Sequence, residues 1–404
     1  MSAFNAVRLT DRVYWVGAID WAIRDFHGYR TGRGTTYNAF LVLAEKVTLI
    51  DTVKKPFFAE MMARISSVID PSRIEYIISN HSEMDHSGAL PETIAAVHPD
   101  KVFASPMGKK ALALHFHWDP DTVDAVRTGD SLSLGDMNVA FIETRMLHWP
   151  DSMVSYLPEE KILFSQDGFG MHLASTERFD DELPLHILDE EAEKYFANIL
   201  MPFSPLVMKL MEQLKELNLD VELLCPDHGP VWRTHVGRIL GKWSEWAEQK
   251  PEPRAVIVYD TMWKSTAALA DAICNGLSSR GVSVRVMPLG SSHISDVATE
   301  TINAAALIVG SPTINGQIFP TVAACMTYLG SLKPRNLIGA AFGSYGWSGE
   351  AVKKLEELLD GLGIPIAAEG LNINYVPDTG ALQRATDMGA ALGDRINRIC
   401  GRST

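Results

Sequence analysis

AsnHisSerGluMetAspHisSerGly, residues 80–88, packs four candidate metal ligands, His81, Glu83, Asp85 and His86, into six positions. The run follows the apolar, β-branched stretch Ile74–Ile78. Those side chains therefore belong to a loop just past a strand end, where a rigid sheet presents functional groups. A polar turn with solvated charges and a helix cap would use the same letters, so the stretch gains weight from its surroundings. Three further candidates sit in comparable contexts. His148 lies in ArgMetLeuHisTrpProAsp after Val139–Ile142, Asp167 ends LysIleLeuPheSerGlnAsp, and His228 lies in CysProAspHisGly after ValGluLeuLeu. A lone histidine at a strand end is commonly structural; four such sites in one domain are harder to explain that way.

Working outward, β-branched runs recur at Val13–Val16, Ala39–Leu43, Val47–Ile50, Val102–Ala104, Met153–Tyr156 and Ile162–Phe164, separated by turn formers. Helical patterns fall at Pro56–Ile69 and Pro91–Val97, and a longer one covers about Asp189–Leu217. This mixture predicts a layered α/β sandwich. GluGlnLysProGluPro, 248–253, is polar and twice broken by proline, as a linker should be. Residues 1–250 and 251–404 are accordingly expected to be separate domains. The second opens on AlaValIleValTyr, 255–259, and then alternates strand and helix patterns to about Leu362. Strict alternation predicts a doubly wound parallel sheet with helices on both faces.

The 404 residues carry 36 Lys+Arg against 50 Asp+Glu, a net charge of −14. Such an acidic balance argues against nucleic acid and against an anionic membrane surface, both of which recruit Lys and Arg. Residues 1–250 hold 24 basic and 37 acidic residues and 11 of the 12 histidines; residues 251–404 are nearly neutral, with 12 and 13. Cys225, Cys274, Cys325 and Cys400 form no CxxC pair, which excludes a disulfide scaffold, a cysteine zinc site and an iron–sulfur cluster. The N-terminal stretch lacks the pattern of a secretory signal, and no apolar run approaches membrane-spanning length. A cytoplasmic location is the expectation.

In the second domain, TyrAspThrMetTrpLysSerThr, 259–266, follows the first strand and leads into a helix pattern. Thr261, Ser265 and Thr266, with the backbone of Met262, Trp263 and Lys264, make a candidate anion loop at a helix start; a capped helix start uses the same letters. Neither a P-loop nor GxGxxG spacing is present. Two later strand ends carry GlySerProThrIleAsn, 310–315, and GlySerTyrGlyTrpSerGlyGlu, 343–350. In a doubly wound sheet, ligands bind beyond the carboxyl ends of the strands. Ser311, Pro312, Thr313, Ile314 and Asn315, then Ser344, Tyr345, Gly346, Trp347, Ser348 and Gly349, are placed to wrap a planar ligand, with Trp347 offering an aromatic face.

The first-domain motif resembles the HxHxDH signature of the metallo-β-lactamase superfamily, an αββα sandwich, with one departure. Glu83 stands where the hydrolases carry a second histidine, which makes the site harder and more anionic and favours iron over zinc. HisXGluXAspHis with these partners is similar to the flavodiiron proteins, or A-type flavoproteins, and the resemblance spans essentially the whole chain. It implies that His81, Glu83 and His148 bind one iron, that Asp85, His86 and His228 bind the other, and that Asp167 bridges them, with members of the family differing over His86. It places Tyr195 and His27 in the distal pocket, where packing is the other reading. It implies a flavodoxin-like second domain that binds FMN and a head-to-tail homodimer, alone or paired into a tetramer. The implied activity passes electrons from rubredoxin or a similar small carrier through FMN to two non-haem irons, reducing O2 to water, NO to N2O, or both. No fused rubredoxin or flavin reductase domain is expected, and the near-neutral flavin domain is the expected dock for an acidic carrier. Two rivals remain at this point: a zinc hydrolase fused to a flavodoxin-like module, and an electron carrier with a vestigial first domain.

Overall fold

Along Phe40–Val42, side chains alternate between two buried cores: Phe40 and Val42 join Trp15, Ile78 and Phe103, whereas Leu41 joins Leu49, Ile77 and Val102. This period-two alternation belongs to a sheet covered on both faces. In the computed structural model, which describes residues 4–402, seven strands form that sheet. Their order is Val7–Arg8, Val13–Trp15, Phe40–Val42, Thr48–Ile50, Tyr76–Ser79, Lys101–Ala104 and Asp124–Ala125. The first core is shared with a second sheet through Val139, Phe141, Met153, Phe164 and Cys225. The other core takes Met61, Ile65, Leu90, Val97 and Leu112 from the helices Phe58–Ser66, Leu90–Val97 and Pro106–Phe116. These layers are metallo-β-lactamase-like.

The second sheet decides where functional side chains converge. Ser131–Ser133, Asn138–Glu143, Met153–Leu157 and Ile162–Gln166 pair antiparallel, and Leu223–Pro226 joins parallel to Ile162–Gln166. The turn after Glu143, the residue after Gln166 and the loop after Pro226 therefore emerge at one end of the sheet. His148, Asp167 and His228 occupy those three places.

The long helical pattern about Asp189–Leu217 is not one helix. It divides into an α-helix Leu185–Tyr195, a π-helical turn Phe196–Leu200, a 3-10 turn Met201–Phe203 and an α-helix Ser204–Leu217. Pro202 and Pro205 lack the amide that a continuous ladder requires, while the apolar spacing persists through the break.

A second compact unit begins at Glu245 and includes the short segments Gly28–Arg30 and Phe196–Pro202. Its five parallel strands run in the order Ser283–Pro288, Glu252–Tyr259, Ala304–Ile314, Ile338–Tyr345, Leu371–Asn374. This 2-1-3-4-5 order is flavodoxin-like and places the switch point between the first and third strands. On one face, the helices Ser265–Ser278 and Thr379–Ile399 bury Leu269, Ile273, Leu277, Leu392 and Ile396 over Ile257, Ile308 and Phe342. Their backbones touch at two glycines: a Cβ on Gly276 would lie 2.0 Å from the Thr386 carbonyl oxygen, and one on Gly389 would lie 2.2 Å from that of Ile273.

Alanine ordinarily gains about 1 kcal/mol over glycine inside a helix. At position 276 the clash with backbone outweighs that gain, and overpacking costs about 1–3 kcal/mol. Gly276→Ala is expected to lower the apparent melting temperature; an unchanged or higher value in a thermal melt would refute the close-contact account.

Candidate metal centre and flavin site

The 80–88 loop is anchored before its first ligand. Asp51, buried and in the left-handed region at φ 54°, accepts from Asn80 N at 2.7 Å and Asn80 Nδ2 at 2.8 Å. Burial pushes the Asp51 carboxyl up to about 6 despite these bonds, which favour its charged form. Asn80 is further tied by Met153 N to its carbonyl and by Ser155 Oγ to its Oδ1 at 2.6 Å. The loop then enters the short helix Met84–Ser87, which carries Asp85 and His86.

All seven residues singled out in the first domain come together as two groups, His81, Glu83, His148 and Asp167 in one and Asp85, His86 and His228 in the other. In the first, Glu83 Oε2 lies 3.3 Å from both His81 Nε2 and His148 Nε2. In the second, Asp85 Oδ2 lies 3.4 Å from His86 Nε2 and 3.2 Å from His228 Nε2. Asp167 joins them. Its Oδ2 is 3.0 Å from His148 Nε2 and 3.4 Å from His81 Nε2, while its Oδ1 is 3.1 Å from His86 Nε2 and 3.4 Å from His228 Nε2. His86 is thus turned into the second group. His228 Nδ1 donates to the Thr36 carbonyl at 2.6 Å, which leaves Nε2 free to face Asp85.

The donor set fits a pair of hard cations. Three carboxylates are buried here, and neither oxygen of Asp85, nor Oδ1 of Asp167, makes a hydrogen bond. Among the described residues, no lysine or arginine pairs with them; their close nitrogen partners are imidazoles. Buried carboxylates require either paired charge or metal. Burial alone would raise Glu83, but His148 and His81 beside it hold its carboxyl far below the usual range. Four imidazoles with three carboxylates, and no thiolate, suit non-haem iron.

Tyr195 and His27 both reach this centre from different sides. Tyr195 is buried with its ring 6.1 Å from that of His228; burial, then the charges of Asp167, Asp85 and Glu83, push its phenol well up, so it keeps its proton. His27 stands at the edge, with its side chain 76% exposed and Nε2 3.2 Å from Glu83 Oε1. Sequence reading missed His172, which is buried with its ring 5.1 Å from Tyr195 and 4.7 Å from His228. Its Nδ1 is 2.9 Å from Thr35 Oγ1, and burial followed by the proximity of His228 pushes its pKa far down, keeping it neutral. It follows no strand end and belongs to no spaced motif, so only proximity reveals it.

In the second unit, a cavity of about 500 Å³ opens among the loops at the carboxyl ends of the first, third and fourth strands. Met262, Trp263, Ser265, Pro312–Asn315 and Ser344–Ser348 line it. Trp263 and Trp347 are each 90% exposed, leaving two aromatic faces free for a planar ligand. Thr261 Oγ1 is buried without a hydrogen-bond partner beside the start of the Ser265–Ser278 helix, which suits a phosphate oxygen. Thr266, Ser311 and Gly349 lie behind the lining. Thr266 Oγ1 is 3.0 Å from Ser344 Oγ, Ser311 Oγ accepts from Phe319 N, and the Gly349 carbonyl accepts from Asn372 Nδ2. Lys264, at φ 67°, makes the turn into the helix. Ser311–Ile314, expected as loop, continue the third strand: Ser311 and Pro312 still pair with Gly343 and Ser344 of the fourth, and Thr313 and Ile314 pair back with Gln317–Ile318. Tyr375 and Val376 also line the cavity; they follow the last strand, whose polar LeuAsnIleAsn sequence gives little periodic signal.

The chain matches two family models, the ODP family beta lactamase over residues 35–229 and flavodoxin over 257–388. A rubredoxin-oxygen oxidoreductase of Megalodesulfovibrio gigas is 46% identical over 376 residues, 92% of this chain and 94% of the relative. A nitric oxide reductase of Moorella thermoacetica is 43% identical over 393 residues, 96% and 98% of the two chains. Among solved structures, the flavodiiron protein of Giardia intestinalis superposes with a TM-score of 0.96 at 32% identity, covering 99% of each chain. The chain belongs to the flavodiiron protein family. The rubredoxin oxygen:oxidoreductase of Desulfovibrio gigas also superposes at 0.96, with 43% identity over 98% of this chain and 100% of that one. A flavodiiron assignment accounts for both sites at once, the carboxylate-rich pair of groups and the aromatic-walled cavity.

If Asp167 joins two metal positions, its loss should affect both. Asp167→Ala is expected to bring iron, measured by plasma mass spectrometry on purified protein, well below two per chain while FMN absorbance stays at the wild-type level. Wild-type iron in that variant would rule out the bridge.

Proposed function

We propose that this flavodiiron oxidoreductase passes electrons from a rubredoxin-type carrier through FMN, in residues 251–404, to a diiron site in residues 1–250 that reduces O2, NO or both. The carrying observation is Asp167, one carboxylate with an oxygen in each group of candidate ligands. Bound FMN supplies one-electron exchange and the paired irons supply reducing electrons to a diatomic substrate, giving water from O2 or N2O from NO. His81, Glu83 and His148 hold the first metal position, and Asp85, His86 and His228 hold the second, with His86 included because its Nε2 faces Asp85 and Asp167. Tyr195 keeps a proton on its hydroxyl beside the carboxylates. Neutral His172 packs beside it, its ring 5.0 Å from the half-buried ring of Phe26.

Exposed apolar side chains support a homodimer. Trp263, Trp347, Tyr375 and Val376 stand exposed around the flavin cavity, and exposed Met84 and Met146 flank candidate ligands in the first unit. A second copy placed head to tail, as a dimer or within a tetramer, would cover both rims. The near-neutral second half suits an acidic electron carrier better than the strongly acidic first half. No described helix is long and apolar enough to cross a membrane. All four cysteines are free of disulfides, which supports a cytoplasmic site of action. A zinc hydrolase is disfavoured by Glu83 and by the names of the relatives.

Stopped-flow mixing of the reduced, iron-replete protein with O2 and separately with NO is expected to reoxidise the flavin with at least one gas; no oxidation by either would overturn the proposal. Tyr195→Phe is expected to slow that reoxidation about tenfold, the worth of one hydrogen bond of roughly 1.4 kcal/mol. Its iron and FMN contents should stay at wild-type values.

A further inference from the structure

The turn that supplies His148 also carries a buried acid that the ligand set does not use. Asp151 lies three residues further on, and its Oδ2 collects three donors: His81 Nδ1 at 3.0 Å, Ser82 N at 2.6 Å and Ser82 Oγ at 2.8 Å. Its main chain is fixed as well. The Asp151 carbonyl accepts from Ser105 Oγ at 2.7 Å, and that hydroxyl also accepts from Gly108 N at 3.0 Å and caps the helix Pro106–Phe116. Asp151 therefore links three pieces of chain: the 80–88 loop, the turn after Glu143, and a helix start.

On the other side of the His81 ring, Nε2 faces Glu83 Oε2 at 3.3 Å and Asp167 Oδ2 at 3.4 Å. A neutral imidazole carries one ring proton. With that proton on Nδ1 and directed to Asp151, the Nε2 lone pair points into the first group of ligands. A carboxylate acceptor on Nδ1 also makes the ring a stronger electron donor, an effect expected of outer-shell partners of metal-bound histidines.

We propose that Asp151 is a positioning residue for the first metal position, holding His81 in the Nδ1–H form and thereby setting both the iron affinity of that position and the reduction potential of the iron in it. The inference rests on the diiron reading above. The two metal positions differ in this respect. His228 is held by a neutral acceptor, the Thr36 carbonyl, and His86 Nδ1 lies 3.4 Å from Asp227 Oδ2 without forming a hydrogen bond. Asp151 supplies a charged acceptor that is hydrogen-bonded to the ring. Removing its charge should favour the ferrous over the ferric state at the first position, because a weaker donor stabilises the higher oxidation state less.

The test uses the full-length protein with FMN bound and compares wild type with Asp151→Ala and Asp151→Asn. Ferrous iron binding is measured by competition with a chromogenic chelator, and iron potentials by redox titration followed by electron paramagnetic resonance. Alanine is expected to weaken one of the two irons roughly 10–100-fold and leave the other in place. Asparagine keeps an oxygen acceptor for Nδ1–H, so it should retain both irons while shifting the potential of one upward. A role confined to packing would leave that potential unmoved, and circular dichroism with flavin content establishes that each variant is folded. Wild-type protein that fails to take two irons would overturn the diiron reading itself. Wild type with two irons, alongside variants of unchanged affinity and potential, would overturn the role of Asp151 alone.

Discussion

Three carboxylates, Glu83, Asp85 and Asp167, are buried against one another with no lysine or arginine among the described residues to neutralise them. That constraint organises the first unit. Like charges in a low-dielectric interior repel strongly, so the arrangement is tolerable only with cations between them. Imidazoles supply part of the compensation, and bound metal would supply the rest. The surrounding structure holds these groups in place. Asp51 occupies a left-handed backbone conformation, costing of order 1 kcal/mol, to grip Asn80 from both its amide and its side chain. Thr36 and Asp151 take the outer ring nitrogens of His228 and His81.

The sheet topology makes this convergence possible. A parallel strand added to an antiparallel sheet delivers Asp167 and His228 from adjacent strand ends, and a turn between two antiparallel strands delivers His148 to the same end. The second unit solves a different problem with the same device. Its five main strands are parallel, so the loops after them share one end, and the switch point leaves a crevice there. Close contact at Gly276 and Gly389 packs two helices of the supporting layer backbone to backbone.

Much of this was legible from local signals. The four candidate ligands of the 80–88 loop announce themselves through density, and His148, Asp167 and His228 through their position after apolar runs. The flavin loops are legible in the same way, with Trp347 and the Ser- and Thr-rich 259–266 stretch marking the cavity. The misreadings have equally physical causes. Apolar spacing runs through Pro202 and Pro205, so periodicity joined helices that the missing amides separate. Ser311–Ile314 read as loop, yet pairing of Ser311 and Pro312 with Gly343 and Ser344, and of Thr313 and Ile314 with Gln317–Ile318, keeps them extended.

By itself, the sequence determined the identity of the candidate ligands, their placement at strand ends, the substitution of Glu83 for a histidine, and the succession of a mixed α/β layer by an alternating one. These depend on residue chemistry and on neighbours within a few positions along the chain. Only the tertiary structure decided that Asp167 presents one oxygen to each group, that His86 turns inward, that His172 shares the pocket with Tyr195, and that Asp151 grips His81. Each of those depends on a distance between side chains remote in sequence, and such distances are set by how the two sheets pack rather than by any local pattern.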